Sequence, residues 1–182
     1  LVEGQLEYSL PVGTNDLLNV QFCTPQLASG SLVGNDLILD SLQGIVRMGV
    51  EFSVTPPSFV LQSTIDGVDF SPVKTVTPTG SVTWFDLDPK VSSLGLKVVG
   101  GTVSHIWAAT SVSEIPVEPL NRDQYSDLPN KTQSSSTVVN YQFRKTLDPT
   151  IVTWPVISAP QRHLSLWVHR QVEDVGSLGQ TL

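Results

Sequence analysis

The sequence contains one cysteine and few charged residues. Its 182 residues include a single Cys, and charged side chains make up 15% of the chain against 40% hydrophobic ones. One cysteine excludes an intrachain disulfide framework and a thiolate metal site, so Cys23 is expected to be a small buried apolar residue. The low charged fraction excludes a disordered acidic tail, because such tails are rich in charge and poor in apolar residues. The chain is therefore expected to bury a hydrophobic core.

Membrane and export signals are also missing. No apolar run approaches the roughly 20 residues that a membrane-spanning helix needs. Residues 1–4 provide neither a basic segment nor an apolar one, so they are not a secretory signal peptide. A soluble, non-secreted protein is the expectation. Because no Met begins the sequence, we expect a partial chain.

Positive charge is scarce and unevenly distributed along the chain. The net charge is −7. Residues 1–120 have four bases and 12 acids, a net charge of −8, whereas residues 121–182 have six bases and five acids, a net charge of +1. A DNA-reading protein needs a basic face, which this pattern does not provide. Sequence-specific binding of nucleic acid is not expected.

Common catalytic motifs are absent. The chain has no Gly-x-Ser-x-Gly, no His-Glu-x-x-His and no glycine-rich phosphate loop. His105, His163 and His169 are expected to be ordinary, partly exposed polar residues. We therefore predict no enzyme activity, no cofactor and no resident metal. One alternative stays open for four carboxylates that could meet at one rim, where they would either hold Ca²⁺ or cap turns: Asp66, Asp69, Asp86 and Asp88.

Alternation of apolar and polar residues with period two runs through most of the chain. Residues 45–55 show it most clearly, with five alternating residues on the apolar face: Val46, Met48, Val50, Phe52 and Val54. Residues 59–65 follow, and Asp66-Gly67 is expected to form a tight turn. Thirteen glycines and thirteen prolines separate such segments. This spacing predicts a mainly β chain with little helix.

The predicted architecture has two parts. Residues 1–114 are expected to form an antiparallel β-sandwich, jelly-roll-like. Residues 115–182 are expected to form an extended linker or arm with short strands near 138–143, 150–154 and 164–168. One helical turn is possible at 121–125. Because three strands cannot bury much surface alone, this second part is expected to pack against the sandwich, a missing part of the chain or a neighbouring subunit.

Four tryptophans allow two interpretations. Trp84 and Trp107 lie in alternating strands, so they either fill the core or form part of an open sugar-binding face. Trp154 ends a strand that has few partners, and it is the preferred anchor of a protein interface.

Residues 115–178 carry a resemblance to a known family. The relevant strings are residues 115–125, 128–133, 141–144, 147–149, 154–156, 166–170 and 172–174, taken in that order. This order resembles the head-to-tail adaptor, or packaged-DNA stabilisation, proteins of short-tailed phages. The chain departs from that pattern at residues 144–146 and at Ile157, which follows Pro155-Val156 where a second proline is usual.

The resemblance implies a structural virion protein in the tail or neck. Such a protein forms a homo-oligomeric ring, expected to be twelvefold, with the portal protein above and tail nozzle, tube or fibre proteins below. DNA would pass through it without sequence-specific binding, and an acidic body would suit such a conduit. No membrane is implied, and assembly would take place in the host cytoplasm. The candidate subunit-interface residues are Pro129, Asn130, Tyr141, Phe143, Arg144, Trp154 and Pro155.

A second resemblance concerns the first part of the chain. Residues 63–70, with their Asp-Gly turn, and residues 84–87 look like a galactose-binding or discoidin-like sandwich. This resemblance implies the alternative function, a carbohydrate-binding β-sandwich module of a phage attachment protein or another cell-surface-binding protein.

Overall fold

The computed structural model describes residues 5–157 and 161–171. Strands make up 66% and helix 3% of the protein, and the strands form a curled antiparallel sheet that is consistent with a β-sandwich. The prediction of a mainly β, antiparallel fold with little helix is confirmed.

The chain divides into two compact units. Unit 1 combines the two ends of the chain, up to Cys23 and from Glu114 onward, and unit 2 comprises Thr24–Ser113. These are units of packing. The domain boundary that the sequence suggests after residue 114 concerns independent folding and stays a prediction.

The first eight strands include the four longest ones, each of 14 or more residues. These eight strands are β1 (Glu7–Ser9), β2 (Thr14–Leu27), β3 (Gly30–Val33), β4 (Asp36–Val54), β5 (Phe59–Thr64), β6 (Ser71–Val76), β7 (Val82–Val99) and β8 (Thr102–Pro116). The later elements are shorter, namely β9 (Glu118–Pro119), α1 (Arg122–Ser126), β10 (Ser134–Ser135), β11 (Asn140–Arg144), β12 (Thr150–Trp154), β13 (Val156–Ile157) and β14 (His163–Arg170). Along the chain, β2 and β8 each pass from one unit into the other.

Strand β4 is the centre of unit 2. It pairs antiparallel with both β7 and β8, and β3 pairs with its first residues. On the far side of β7, β5 follows and then β6. The apolar side chains of these strands form one core: Leu37, Leu39, Ile45, Met48, Val50, Phe52, Phe59, Leu61, Val76, Leu87, Leu96, Val98, Ile106 and Ala108.

The apolar face of β4 differs from the predicted one at both of its ends. The middle three of the five predicted residues are buried, but Ile45 is fully buried in place of Val46, and Val54 is 74% exposed. The pairing of β4 with β7 shifts register between Ile45 and Arg47. Such a bulge reverses which side chains point inward, because side chains in a strand alternate strictly. The predicted alternation is therefore wrong before this bulge and correct in the centre of the strand.

Glycines with positive φ lie in connections between these strands. Gly67 has a φ of 81°, and Gly100 and Gly101, which link β7 to β8, have φ values of 105° and 101°. Only glycine adopts such values without strain. The chain does turn at Asp66-Gly67, but the connection from β5 to β6 spans residues 65–70, so the prediction of a tight turn is wrong.

Unit 1 contains a four-stranded sheet in the order β1-β12-β11-β9. Within this unit β14 pairs antiparallel with β2, whereas the short pairs β9–β11 and β10–β13 are parallel. A second core forms around the sheet: Leu10, Leu17, Val20, Phe22, Val117, Val138, Tyr141, Ile151 and Ile157. The strands predicted near residues 138–143, 150–154 and 164–168 correspond to β11, β12 and β14.

The helix α1 is a single capped turn. The Asn121 side chain accepts a hydrogen bond from the backbone N–H of Gln124, and the Gln124 side chain accepts one from the backbone N–H of Asn121. This capping box satisfies backbone donors that a helix start leaves unpaired. The possible helical turn at 121–125 is confirmed. No helix in residues 5–157 and 161–171 has the length and hydrophobicity of a membrane span.

The burial of single residues follows most expectations. Cys23 is fully buried, as predicted. His105 and His169 are exposed. His163 is only 5% exposed, so its prediction as a partly exposed residue is wrong. The pairing of His163 with Cys23 places this histidine opposite a buried position.

Candidate functional site

Three flat rings lie in a row on one face of the sheet in unit 2. The Trp84 and Trp107 rings have centroids 5.8 Å apart and planes that differ by 11°. The His105 ring continues the row, 5.6 Å from the Trp107 ring and inclined by 7°. We call these three side chains the aromatic row.

The aromatic row lies on the outer face, away from the core. Gly49 in β4 pairs with Trp84 in β7 and with Trp107 in β8. The neighbours of Trp107 along β8, Ile106 and Ala108, belong to the buried core. Since side chains alternate across a strand, Trp107 points outward. Both tryptophans are half-buried and His105 is exposed, so the row retains contact with solvent.

Gly49 makes room for the row. A Cβ atom at this position would lie 2.6 Å from the Cε2 atom of Trp84 and 2.7 Å from its Cζ2 atom. The Trp84 indole therefore lies directly over the backbone of β4, which only a glycine permits. Gly49 is a case in which a glycine inside a strand marks a close approach.

Charged pairs lie at both ends of the row. At one end the Arg47 side chain contacts the Asp86 carboxylate from the next strand. At the other end, the Nδ1 atom of His105 is 2.8 Å from the Glu51 carboxylate. Each pair joins two neighbouring strands, and its residues lie two positions along those strands from Trp84, Gly49 or Trp107. Apolar ring surface is thus bordered on two sides by hydrogen-bonding groups.

The seven residues predicted as subunit contacts all lie in unit 1. The Trp154 indole N–H donates to the backbone carbonyl of Asn130 over 2.9 Å. Tyr141 belongs to the second core, and burial raises the pKa of its phenol, with a further contribution from the Asp16 carboxylate. The remaining four differ in exposure, with Pro155 buried, Phe143 half-buried, and Pro129 and Arg144 exposed. Contact of these residues with another subunit stays a prediction.

Two of the four aspartates considered for an ion, Asp66 and Asp86, have partners within the protein. The Asp66 carboxylate accepts hydrogen bonds from Thr64, Val68 and Asp69 within its own turn. Asp86 contacts Arg47. Within residues 5–157 and 161–171, no group of three or more His, Cys, Asp or Glu side chains could hold a metal. For Asp66, the turn-capping alternative describes the structure.

The aromatic row was not predicted as a unit, although the sequence contained one sign of it. Trp84 and Trp107 are 23 positions apart, and their meeting depends on the register of both strands with β4. The sign was Gly49, a glycine in the middle of the strand with the clearest apolar alternation. Such a glycine often marks a bulge or a close contact.

Comparison with known proteins yields little for this chain. No family model matches it, and no curated protein matches it. Among solved structures, it is similar to CBM32-1 from a family 31 glycoside hydrolase from Clostridium perfringens. The identity is 11% and the TM-score 0.32, over 62% of this chain and 95% of that chain. A TM-score this low does not establish a shared fold. The resemblance of residues 115–178 to phage adaptor proteins gains no support from the family or curated comparisons.

Proposed function

We propose that this protein is a noncatalytic binding module that holds a carbohydrate against the aromatic row of unit 2. The observation that supports this proposal is the row itself, with three near-parallel rings on the outer face of a sheet. Core packing alone does not require tryptophans on that face, because the core lies on the other side of the same strands.

The chemistry of the row suits a sugar ring. A pyranose has faces of C–H groups that pack on flat aromatic surface, and a rim of hydroxyl groups that need hydrogen-bond partners. The partly exposed rings of the row offer apolar surface, since aromatic side chains combine a large apolar area with polar atoms at the edge. The Glu51 carboxylate accepts hydrogen bonds and the Arg47 guanidinium donates them. A small number of polar groups around apolar surface is typical of ligand sites.

The charge of the site favours a neutral ligand. Arg47 is paired with Asp86, and His105 with Glu51. The Asp86 carboxylate offsets the Arg47 charge, and Glu51 is acidic, so the row carries no excess of positive charge. A neutral glycan therefore fits better than a sulfated or otherwise acidic one.

A glycan array followed by isothermal titration calorimetry tests this proposal. Trp107→Ala should weaken binding of a neutral glycan by about tenfold or more, because a lost stacking contact is worth roughly 1–3 kcal/mol in aromatic recognition sites. His105→Ala should weaken it less, since the His105 ring is smaller.

Trp167→Ala is the matched control. Trp167 is exposed and lies in unit 1, so it removes the same side chain outside the row. It should leave glycan affinity unchanged. An array with no binding, or equal losses in the Trp107 and Trp167 variants, would contradict the proposal.

A ring-forming virion connector is the second candidate function. The observation that favours self-assembly is a pair of exposed apolar residues on paired strands, Leu18 at 67% and Trp167 at 65% exposure. Strand β14 also ends the strand order of its sheet, and exposed strand edges invite pairing with another chain. On this proposal the partners would be further copies, the portal and the tail proteins. The oligomeric state of the chain in solution decides it.

A further inference from the structure

Unit 1 contains a cavity of about 570 Å³ whose lining is rich in basic residues. Four of the chain's ten Lys and Arg residues line it: Arg122, Lys131, Arg144 and Lys145. None of its lining residues is acidic. We call this cavity the basic cleft.

The capped helix and strand β11 build the cleft around Tyr125. The Tyr125 side chain is buried, and its ring attracts two of the cations. The Lys131 ammonium lies 5.7 Å from the ring centre and the Arg144 guanidinium 5.9 Å from it. Cations at such distances over an aromatic face are held in place by the ring's electron density. Burial raises the pKa of Tyr125, so the phenol stays neutral and can donate a hydrogen bond.

Most of the positive charge in the cleft is not neutralised by the protein. Arg144 forms an ion pair with Glu7 at 3.1 Å. Lys131 donates to the backbone carbonyl of Ser126 over 3.0 Å, which leaves its charge in place. In the part of the chain that the structure describes, no carboxylate lies within ion-pair distance of Arg122, Lys131 or Lys145. The three cations without a carboxylate partner repel each other unless an anion joins them.

We propose that the basic cleft binds a small organic molecule that carries a phosphate or sulfate ester. Guanidinium groups match the geometry of such oxyanions, and ammonium groups add point charges. The half-buried Phe143 offers apolar surface for the organic part. The volume falls within the range of about 300–1,000 Å³ that is common for small-molecule sites. This proposal is independent of the carbohydrate proposal, because the cleft and the aromatic row belong to different units.

A long nucleic acid fits less well. Residues 1–120 carry a net charge of −8, and the whole chain −7. A surface with this charge repels a polyanion at long range, whereas a small ester meets mainly the local field of the cleft.

Isothermal titration calorimetry with matched ligands tests the proposal. Glucose 6-phosphate, glucose 6-sulfate and adenosine monophosphate are the probes, and glucose and adenosine are their neutral counterparts. The titrations use the Trp107→Ala variant, which lacks the proposed carbohydrate site. At least one ester should bind to it while both neutral compounds do not, and comparison of phosphate with sulfate identifies the preferred group. Affinity should fall as NaCl rises from about 0.05 M to about 0.5 M, because salt screens exposed charges.

A double variant ties binding to the cleft. Arg122→Gln/Lys145→Gln removes two exposed cations without breaking an ion pair, and it should weaken ester binding by at least about tenfold. Lys90→Gln removes an exposed cation of unit 2 and should leave the affinity unchanged. Circular dichroism confirms that the variants stay folded. Trp107→Ala should not alter ester binding. A failure of the ester proposal can therefore be distinguished from a failure of the glycan proposal.

Three outcomes would overturn the proposal. They are no binding of any ester, unchanged affinity in the double variant, or equal binding of glucose and its phosphate. Duplex DNA that binds more tightly than the esters, with the same loss in the double variant, would replace the small molecule by nucleic acid as the ligand.

Discussion

Gly49 is the residue on which the aromatic row depends. Its position between Trp84 and Trp107 lets an indole lie flat over the backbone. Any side chain there would push Trp84 away from the sheet. Gly49 has no side chain to contact the rings, and this absence is what lets the Trp84 ring lie parallel to the Trp107 ring.

Gly49→Ala should therefore destabilise the protein and disturb the row. Its Cβ would lie 2.6 Å from the Trp84 ring, closer than atoms pack without displacement. We expect a loss of about 1–3 kcal/mol in the free energy of unfolding, as is usual for overpacking. Urea unfolding measures the loss, and near-UV circular dichroism reports the disturbed tryptophans.

Gly44→Ala is the control for this change. Gly44 lies in the same strand, and the atoms nearest to a Cβ there belong to the flexible Lys90 side chain, at 3.4 Å or more. This variant should be as stable as the wild type or slightly more stable, because alanine restricts the unfolded chain. Equal stability of the Gly49 and Gly44 variants would show that Trp84 does not need the glycine.

At the scale of elements, the turn between β5 and β6 is organised by one carboxylate. The Asp66 carboxylate accepts the Thr64 hydroxyl at 2.7 Å and the backbone N–H groups of Val68 and Asp69 at 2.9 and 3.0 Å. These bonds favour the ionised form, and they lower the pKa of Asp66 from 3.8 to about 2. The hydrogen bond from Thr64 is the largest cause.

This pKa shift predicts a pH-dependent contribution to stability. The folded pKa is lower than the unfolded one, so the contribution is fully present above pH 3.8 and is lost as the pH falls towards about 2. Asp66→Asn keeps an acceptor oxygen but does not ionise. The stability difference between wild type and this variant should be constant at neutral pH and should shrink between pH 3.8 and about 2. Urea unfolding at each pH measures the difference, and a constant difference down to pH 2 would contradict the role of the carboxylate.

At the scale of the whole molecule, the difference in net charge between residues 1–120 and 121–182 does not become a difference between the two units. Unit 2 has four bases and seven acids, a net charge of −3, and unit 1 has six bases and ten acids, a net charge of −4. The acidic start of the chain belongs to the same unit as the more basic end. Both units are therefore acidic, and the basic cleft is a local feature of one of them.

The connector proposal predicts the oligomeric state of the whole molecule. If the connector proposal holds, the chain should self-associate, and Leu18→Ser/Trp167→Ser should reduce the association, because it removes exposed apolar surface from β2 and β14. Sedimentation velocity over a range of protein concentrations measures this, and electron microscopy with the portal protein reveals rings. Leu147→Ser is the control, since Leu147 is 91% exposed and lies outside both strands. A monomer at every concentration, without rings on the portal, would contradict the connector.

Local patterns accounted for much of the secondary structure. Strand β12 lies at the predicted residues, and the Asp66-Gly67 turn and the turn at Gly100-Gly101 occur where glycine permits them. These features depend on alternation and on backbone sterics, which neighbouring residues decide. The bulge in β4 was not predictable, because it depends on how β7 pairs with that strand.

The fold class, the burial of the single cysteine and the positions of the glycine turns were predictable from local patterns, because period-two alternation and glycine conformations are local properties. The two candidate sites were not predictable in this way, because they form only when distant segments pair. Trp84 meets Trp107 through the register of two strands on Gly49, and Arg122 meets Arg144 through the packing of a capped helix against a strand. Such encounters join residues far apart in the chain. They follow from strand pairing and helix packing, which no local sequence pattern reveals.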